Sequence, residues 1–231
     1  MIVNAIRQGE VAIALYILIS VLISLTVHEF SHGYVAFKCG DDTARNFGRL
    51  SLNPIKHIDL FGFFAMLIAG FGWAKPVPVN MRNLKKPRRD IALVSLAGPM
   101  SNLILAFIGV LVGKIILTIL SSLEITPFVE TLYYNFANFF YYFIMLNLGL
   151  CLFNLLPIPP LDGSKIISSI LPRKIGIKYI QLERYAGIFI LALFVLSTIG
   201  EFDFLFYPLI YVRDKLFFGM ERLVGLLPFI K

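Results

Sequence analysis

Little in this sequence could cross-link or solvate a soluble fold. Cysteine occurs only at Cys39 and Cys151 among 231 residues. Two cysteines exclude a disulfide framework and read as packing residues or free thiols. Charged residues are sparse at 15%, against 58% hydrophobic residues and a mean hydropathy of +0.81. That balance excludes an ordinary soluble domain and describes an integral membrane chain. Internal repeats and low-complexity stretches are absent, so a single membrane domain over 1–231 is the simplest organisation. The formal net charge of +7 does not imply a nucleic-acid partner. The basic residues fall mostly in short loops beside apolar runs, where the positive-inside rule accounts for them. Arg7 ahead of an apolar run mimics a signal peptide, but no small-residue cleavage pattern follows, and the segment is expected to stay uncleaved.

Histidine occurs three times, and two of the three lie in one stretch, VLISLTVHEFSHGY from Val21 to Tyr34. The run has no Gly or Pro before Gly33 and reads as helix, which sets His28 and His32 four residues apart on one face. Two imidazoles so spaced suit a zinc ion, and Glu29 lies beside them as a candidate base for a water activated there. The pattern is H-E-x-x-H. A blander alternative is a pair of helix-end histidines satisfied by carbonyls or water. Ionisable groups inside an apolar span are costly unless they serve a function, which weighs against it.

The fold expected is an all-α multi-pass membrane protein, with about four transmembrane helices, a re-entrant segment and an amphipathic C-terminal tail. Residues 11–36 form the first span, long enough for a bilayer core of about 30 Å. His28 falls about five residues past its midpoint, roughly 7–8 Å beyond the bilayer centre. The loop from Lys38 to Lys56 carries a basic excess and is expected in the cytosol. Phe61 to Trp73 is short and broken by Gly62, Gly70 and Gly72, and reads as re-entrant or interfacial. Ala74 to Asp90 is basic and proline-rich. Its Pro-Val-Pro-Val portion reads either as an extended segment beside the site or, more commonly for such sequences, as a plain connector against anionic lipid headgroups.

Ile91 to Leu120 is a second span, crossing outward, with Ser95 and Asn102 on one face for interhelical hydrogen bonds or substrate contact. The loop from Ser121 to Glu130 has two acidic residues and no basic one, and belongs outside. Thr131 to Leu156 crosses inward and delivers NLLPIPPLDG, residues 154–163, to the side that holds His28 and His32. Asp162 after a proline turn would ordinarily cap a helix. A catalytic zinc, however, needs three protein ligands and an open position, and two inward-crossing spans bring His-x3-His and Asp162 to one level. His57, in a polar loop, is expected to make a local hydrogen bond instead. Tyr185 to Ile199 reads as a short fourth span, and the charged tail after it as an interfacial or partly embedded helix.

HEFSH at 28–32, SLAGPMSN at 95–102 and NLLPIPPLDG at 154–163 together resemble the motifs of the site-2 protease family of intramembrane zinc metalloproteases. The likeness runs through LNPIKHIDLFG (52–62) and GWAKPVPVN (72–80), covers about residues 15–172, and points to a compact prokaryotic branch without a PDZ-like insert or nucleotide-sensing module. Leu60 stands where the resemblance leads one to expect proline. The resemblance implies Zn²⁺ held by His28, His32 and Asp162, Glu29 as base, and Asn154 on the substrate backbone. It also implies a three-helix catalytic core over about 11–172, with 183–231 accessory. The expected activity is cleavage of a membrane-spanning protein substrate within the lipid bilayer of the cell membrane, from an active site towards the cytosol. A metal-binding transporter or an inactive scaffold could keep the same three ligands, but neither would need Glu29 as a base.

Overall fold

The computed structural model describes residues 10–62, 74–185, 188 and 206–227. In chain order the helices are α1 (Val11–Lys38), α2 (Thr43–Asn46), α3 (Pro87–Ser121), α4 (Pro127–Asn154), α5 (Asp162–Ile170), α6 (Arg173–Ile180) and α7 (Tyr207–Val224). Among the described residues α1, α3 and α4 are long and apolar enough to cross a membrane. At 1.5 Å per residue they run to roughly 40–50 Å, more than a hydrocarbon core of about 30 Å requires.

Local chemistry sets where these helices begin and end. Proline opens both α3 and α4, where its missing N–H costs nothing. Thr126 caps α4 by accepting from Val129 N at 3.2 Å. The prolines of 157–160 stop α4 and turn the chain before α5. The second and third helices therefore start about four residues before the expected spans, with proline first and charged residues, Arg88 to Asp90 and Glu130, in the opening turn.

The three long helices pack on one another. Close approach of α3 to α4 depends on Gly109 and Gly113, where an added Cβ would come within 2.9 Å of Ile144 and of Phe140. The tail helix α7 is embedded on this pair: Leu216, Phe217, Met220 and Val224 join Ala106, Val110, Ile144 and Leu148 in one apolar cluster. Lys114 Nζ donates to Glu221 O at 3.1 Å, placing a cation near the negative end of α7.

Between α1 and α3 the chain folds over the C-terminal end of α1. Ile58 and Ala74 form an antiparallel bridge, and Lys75 N donates to His57 O at 2.8 Å. Residues 75–80 have no helical or turn structure and run alongside α1. They are tied there by Arg49 Nη2 to Lys75 O at 2.7 Å and by Val77 N to Glu29 at 2.8 Å. The plain-connector expectation for Pro-Val-Pro-Val therefore gives way to its alternative, an extended segment beside the site. Of the expected re-entrant stretch only Phe61 and Gly62 lie within the described residues. Of the expected fourth span only Tyr185 and Ile188 do.

Candidate metal centre

Helical spacing brings His28 and His32 onto one face of α1, their rings 4.6 Å apart at 85°. Asp162 reaches the same point from a different element. The turn after α4 brings α5 back so closely that a Cβ at Gly163 would lie 2.2 Å from Leu155 O. Asp162 is the first residue of α5, with Leu161 at the cap position and no side-chain cap bond, so its carboxylate is not spent on capping. His28 and Asp162 are buried, and His32 is partly so.

Three potential ligand atoms converge. His28 Nε2 and His32 Nε2 each lie 3.3 Å from Asp162 Oδ2, and 3.0 Å from one another. Tetrahedral zinc with bonds of about 2.0–2.1 Å would space its ligand atoms about 3.3–3.4 Å apart. The far nitrogens of both rings face acceptors: His32 Nδ1 meets Val94 O at 2.7 Å, and His28 Nδ1 meets Asn102 Oδ1 at 2.6 Å. A carbonyl oxygen can only accept, so each Nδ1 carries the hydrogen and each Nε2 turns a lone pair inward. Lone pairs aimed at one another and at a buried carboxylate repel unless a cation lies between them, and the donor set of two nitrogens and one oxygen suits zinc. Gly98 on α3 leaves the room: a Cβ there would sit 2.4 Å from His32 Nε2 and 2.6 Å from His28 Nε2.

These atoms line a cavity of about 310 Å³ whose wall also includes Glu29, Val77, Ser95, Asn154 and Lys165. Glu29 Oε2 accepts from Val77 N, which fixes the carboxylate against the extended segment. Asn154 Nδ2 donates to Leu150 O at 3.0 Å, and the residue lines the cavity from the end of α4. His57 stands apart, its Nε2 2.7 Å from Ser51 O, in the local bond expected of it. The sequence reading missed Gly98 as spacer, Val77 as the partner of Glu29, and Asn147, which lies behind Asn102. Asn147 had a visible signal, an amide set in the apolar run from Phe143 to Phe153 of α4. Nothing local marks Val77, whose role belongs to its backbone N–H.

Comparison with known proteins agrees with this geometry. The model of Peptidase family M50 matches residues 16–197. A relative from Bacillus subtilis (strain 168), "Putative zinc metalloprotease YwhC", is 51% identical over 187 residues, covering 81% of this chain and 83% of that protein. "Putative zinc metalloprotease Rip2" of Mycobacterium tuberculosis (strain ATCC 25618 / H37Rv) is 31% identical over 189 residues, covering 79% of this chain and 68% of the relative. No solved structure matches. An H-E-x-x-H helix in a bundle of membrane-length helices, a donor set suited to zinc, and a family match over most of the chain lead to one conclusion: this chain belongs to peptidase family M50, the site-2 proteases, and is an intramembrane zinc metallopeptidase.

Proposed function

We propose that this chain hydrolyses a peptide bond within or near a membrane-spanning segment of a client protein, close to the cytosolic face. In this reading His28, His32 and Asp162 hold zinc and Glu29 is the base. The observation that carries it is the convergence of two imidazole nitrogens and one carboxylate oxygen on the wall of a cavity that also contains Glu29. Zinc, when bound, supplies Lewis acidity towards the peptide carbonyl and lowers the pKa of a water towards about 7. Glu29, steadied by Val77 N, takes the proton as water attacks and passes it to the departing amine. Asn154 accepts a client peptide N–H through its carbonyl oxygen, since its amide nitrogen is already committed to Leu150 O. The core is α1 to α5, with the remainder accessory.

The cytosolic placement rests on charge. The 81–90 segment beside the site is rich in Lys and Arg, whereas the loop between α3 and α4 carries only acidic charge. A client helix hides its carbonyls in backbone hydrogen bonds and must unwind locally to present one at a cavity of about 310 Å³.

The test is cleavage of a client transmembrane reporter by purified protein in liposomes. Glu29→Gln is expected to keep zinc near one per chain while cleavage falls about 10²–10⁴-fold. Cleavage at the native rate would remove Glu29 as base, whereas a native chain that holds zinc and cuts no reporter would favour a metal-binding transporter or scaffold.

A further inference from the structure

Behind the metal-facing histidines lies a row of buried amides. Asn102 on α3 and Asn147 on α4 are both fully buried, deep in the bundle. Asn147 Nδ2 donates to Phe143 O at 2.9 Å. A backbone carbonyl accepts only, so this contact fixes which end of the Asn147 amide is nitrogen and turns its Oδ1 towards Asn102. Asn102 Nδ2 donates to that oxygen at 2.9 Å and lies 3.4 Å from Ser24 O, a second atom that can only accept. With its nitrogen so committed, Asn102 presents Oδ1 to His28 Nδ1 at 2.6 Å.

We propose that Asn147 and Asn102 are positioning residues, a one-way amide relay that runs from the Phe143 carbonyl to His28 and holds its Nε2 lone pair towards the metal. The direction of every bond follows from its two carbonyl ends, Phe143 O and Ser24 O. Reversing the tautomer of His28 would set two acceptors face to face at a buried contact, at a cost comparable to an unsatisfied buried polar group. The relay also joins all three spans, because Ser24 and His28 lie on α1. Metal binding therefore depends on how α3 and α4 dock against α1, and not only on the motif helix. His32 needs no such device, since Val94 O acts on it directly.

The inference rests on the zinc reading above, and zinc binding by the full chain in detergent tests it against a competing chelator. Asn102→Leu, which fills the space but accepts nothing, is expected to weaken zinc 10–100-fold in protein whose helical content is unchanged. Asn102→Asp keeps an acceptor for His28 but loses the N–H that faces Asn147 Oδ1 and Ser24 O, so it is expected to weaken zinc less than Asn102→Leu does. Asn147→Leu should weaken zinc less than Asn102→Leu, and adding it to Asn102→Leu should cost nothing further, because the relay is already cut. With only three histidines in the chain, ¹⁵N-histidine spectra read the tautomer directly. In the zinc-stripped native protein His28 should carry its hydrogen on Nδ1, and in Asn102→Leu that preference should be lost. Native zinc affinity in folded Asn102→Leu, or equal losses in the Leu and Asp variants, would overturn the relay while leaving the protease reading intact. Absence of zinc binding by the native chain would overturn both.

Discussion

His28, His32 and Asp162 are recognisable by residue type, but the room they need is made by a residue with no side chain. At Gly98 an added Cβ would lie 2.4–2.6 Å from ring atoms of both histidines, far inside van der Waals contact. The backbone of a packed helix cannot retreat, so the rings must swing away from Asp162. Gly98→Ala should therefore strip most of the zinc and lower cleavage by about 10²-fold or more, since ångström-scale misplacement of reacting groups costs that much. The substitution should not harm the helix, because alanine is the better helix former. Gly149→Ala is the matched control: nothing lies within 4 Å of a Cβ there, and zinc and rate should stay native. Metal analysis and the liposome assay on the two variants decide the matter, and a zinc-replete, fully active Gly98→Ala would refute the steric role.

At the scale of elements, the extended segment beside Glu29 is anchored by a carboxylate outside the spans. Asp41 is fully buried just past α1, where it accepts from Asn80 N at 2.6 Å, Thr43 N at 3.1 Å and Asn83 Nδ2 at 2.8 Å. Burial alone would push its pKa up, but hydrogen bonds from Thr43, Asn83 and the backbone of Asn80 outweigh that and hold it below the usual carboxylate range. A depressed folded-state pKa contributes stability that is present above the unfolded value of about 3.9 and is lost as pH falls below it. Asp41→Asn should cost about 1–3 kcal/mol at neutral pH, and should flatten the decline in melting temperature between pH 5 and pH 3. A variant that declines in parallel with native would show that Asp41 is not the titrating anchor. Sequence and structure part company at this scale. The three long helices were legible because long apolar runs ending at Pro, Gly or charge leave few alternatives. The extended 74–80 segment was not, because its course is set by Asp41, Arg49 and Glu29, partners some 26–48 residues away along the chain. The meeting of His28, His32 and Asp162 was legible through their motifs. Asn102 was legible as an interhelical hydrogen bonder, but its partner Asn147 was not, since pairing the two requires knowing how two helices dock.

For the whole molecule, the side of the membrane on which the site opens follows from which loops can be carried across the bilayer. Residues 81–90 contain Arg82, Lys85, Lys86, Arg88 and Arg89 against Asp90 alone, whereas 121–130 contain Glu124 and Glu130 and no basic residue. Lys and Arg in short loops near the ends of spans set orientation by staying on the cytosolic side, whereas Asp and Glu contribute little, so the first segment should remain cytosolic while the second crosses. The helices place Lys86 and Ser122 just beyond opposite ends of α3, both exposed to reagent. Single cysteines at these two positions, probed with a membrane-impermeant maleimide, should be modified from opposite faces, Lys86→Cys from the cytosol and Ser122→Cys from outside. The native thiols are suited to this experiment: Cys39 and Cys151 are 8% and 2% exposed, and burial pushes the Cys39 thiol pKa up, so background labelling should be low. His28, His32 and Asp162 lie towards the Lys86 end of α3, where Val94 O meets His32. Labelling of Lys86→Cys from the outside would therefore move the cavity to the opposite face and require clients to be cut there, whereas the expected pattern confines cleavage to the cytosolic half of the client segment.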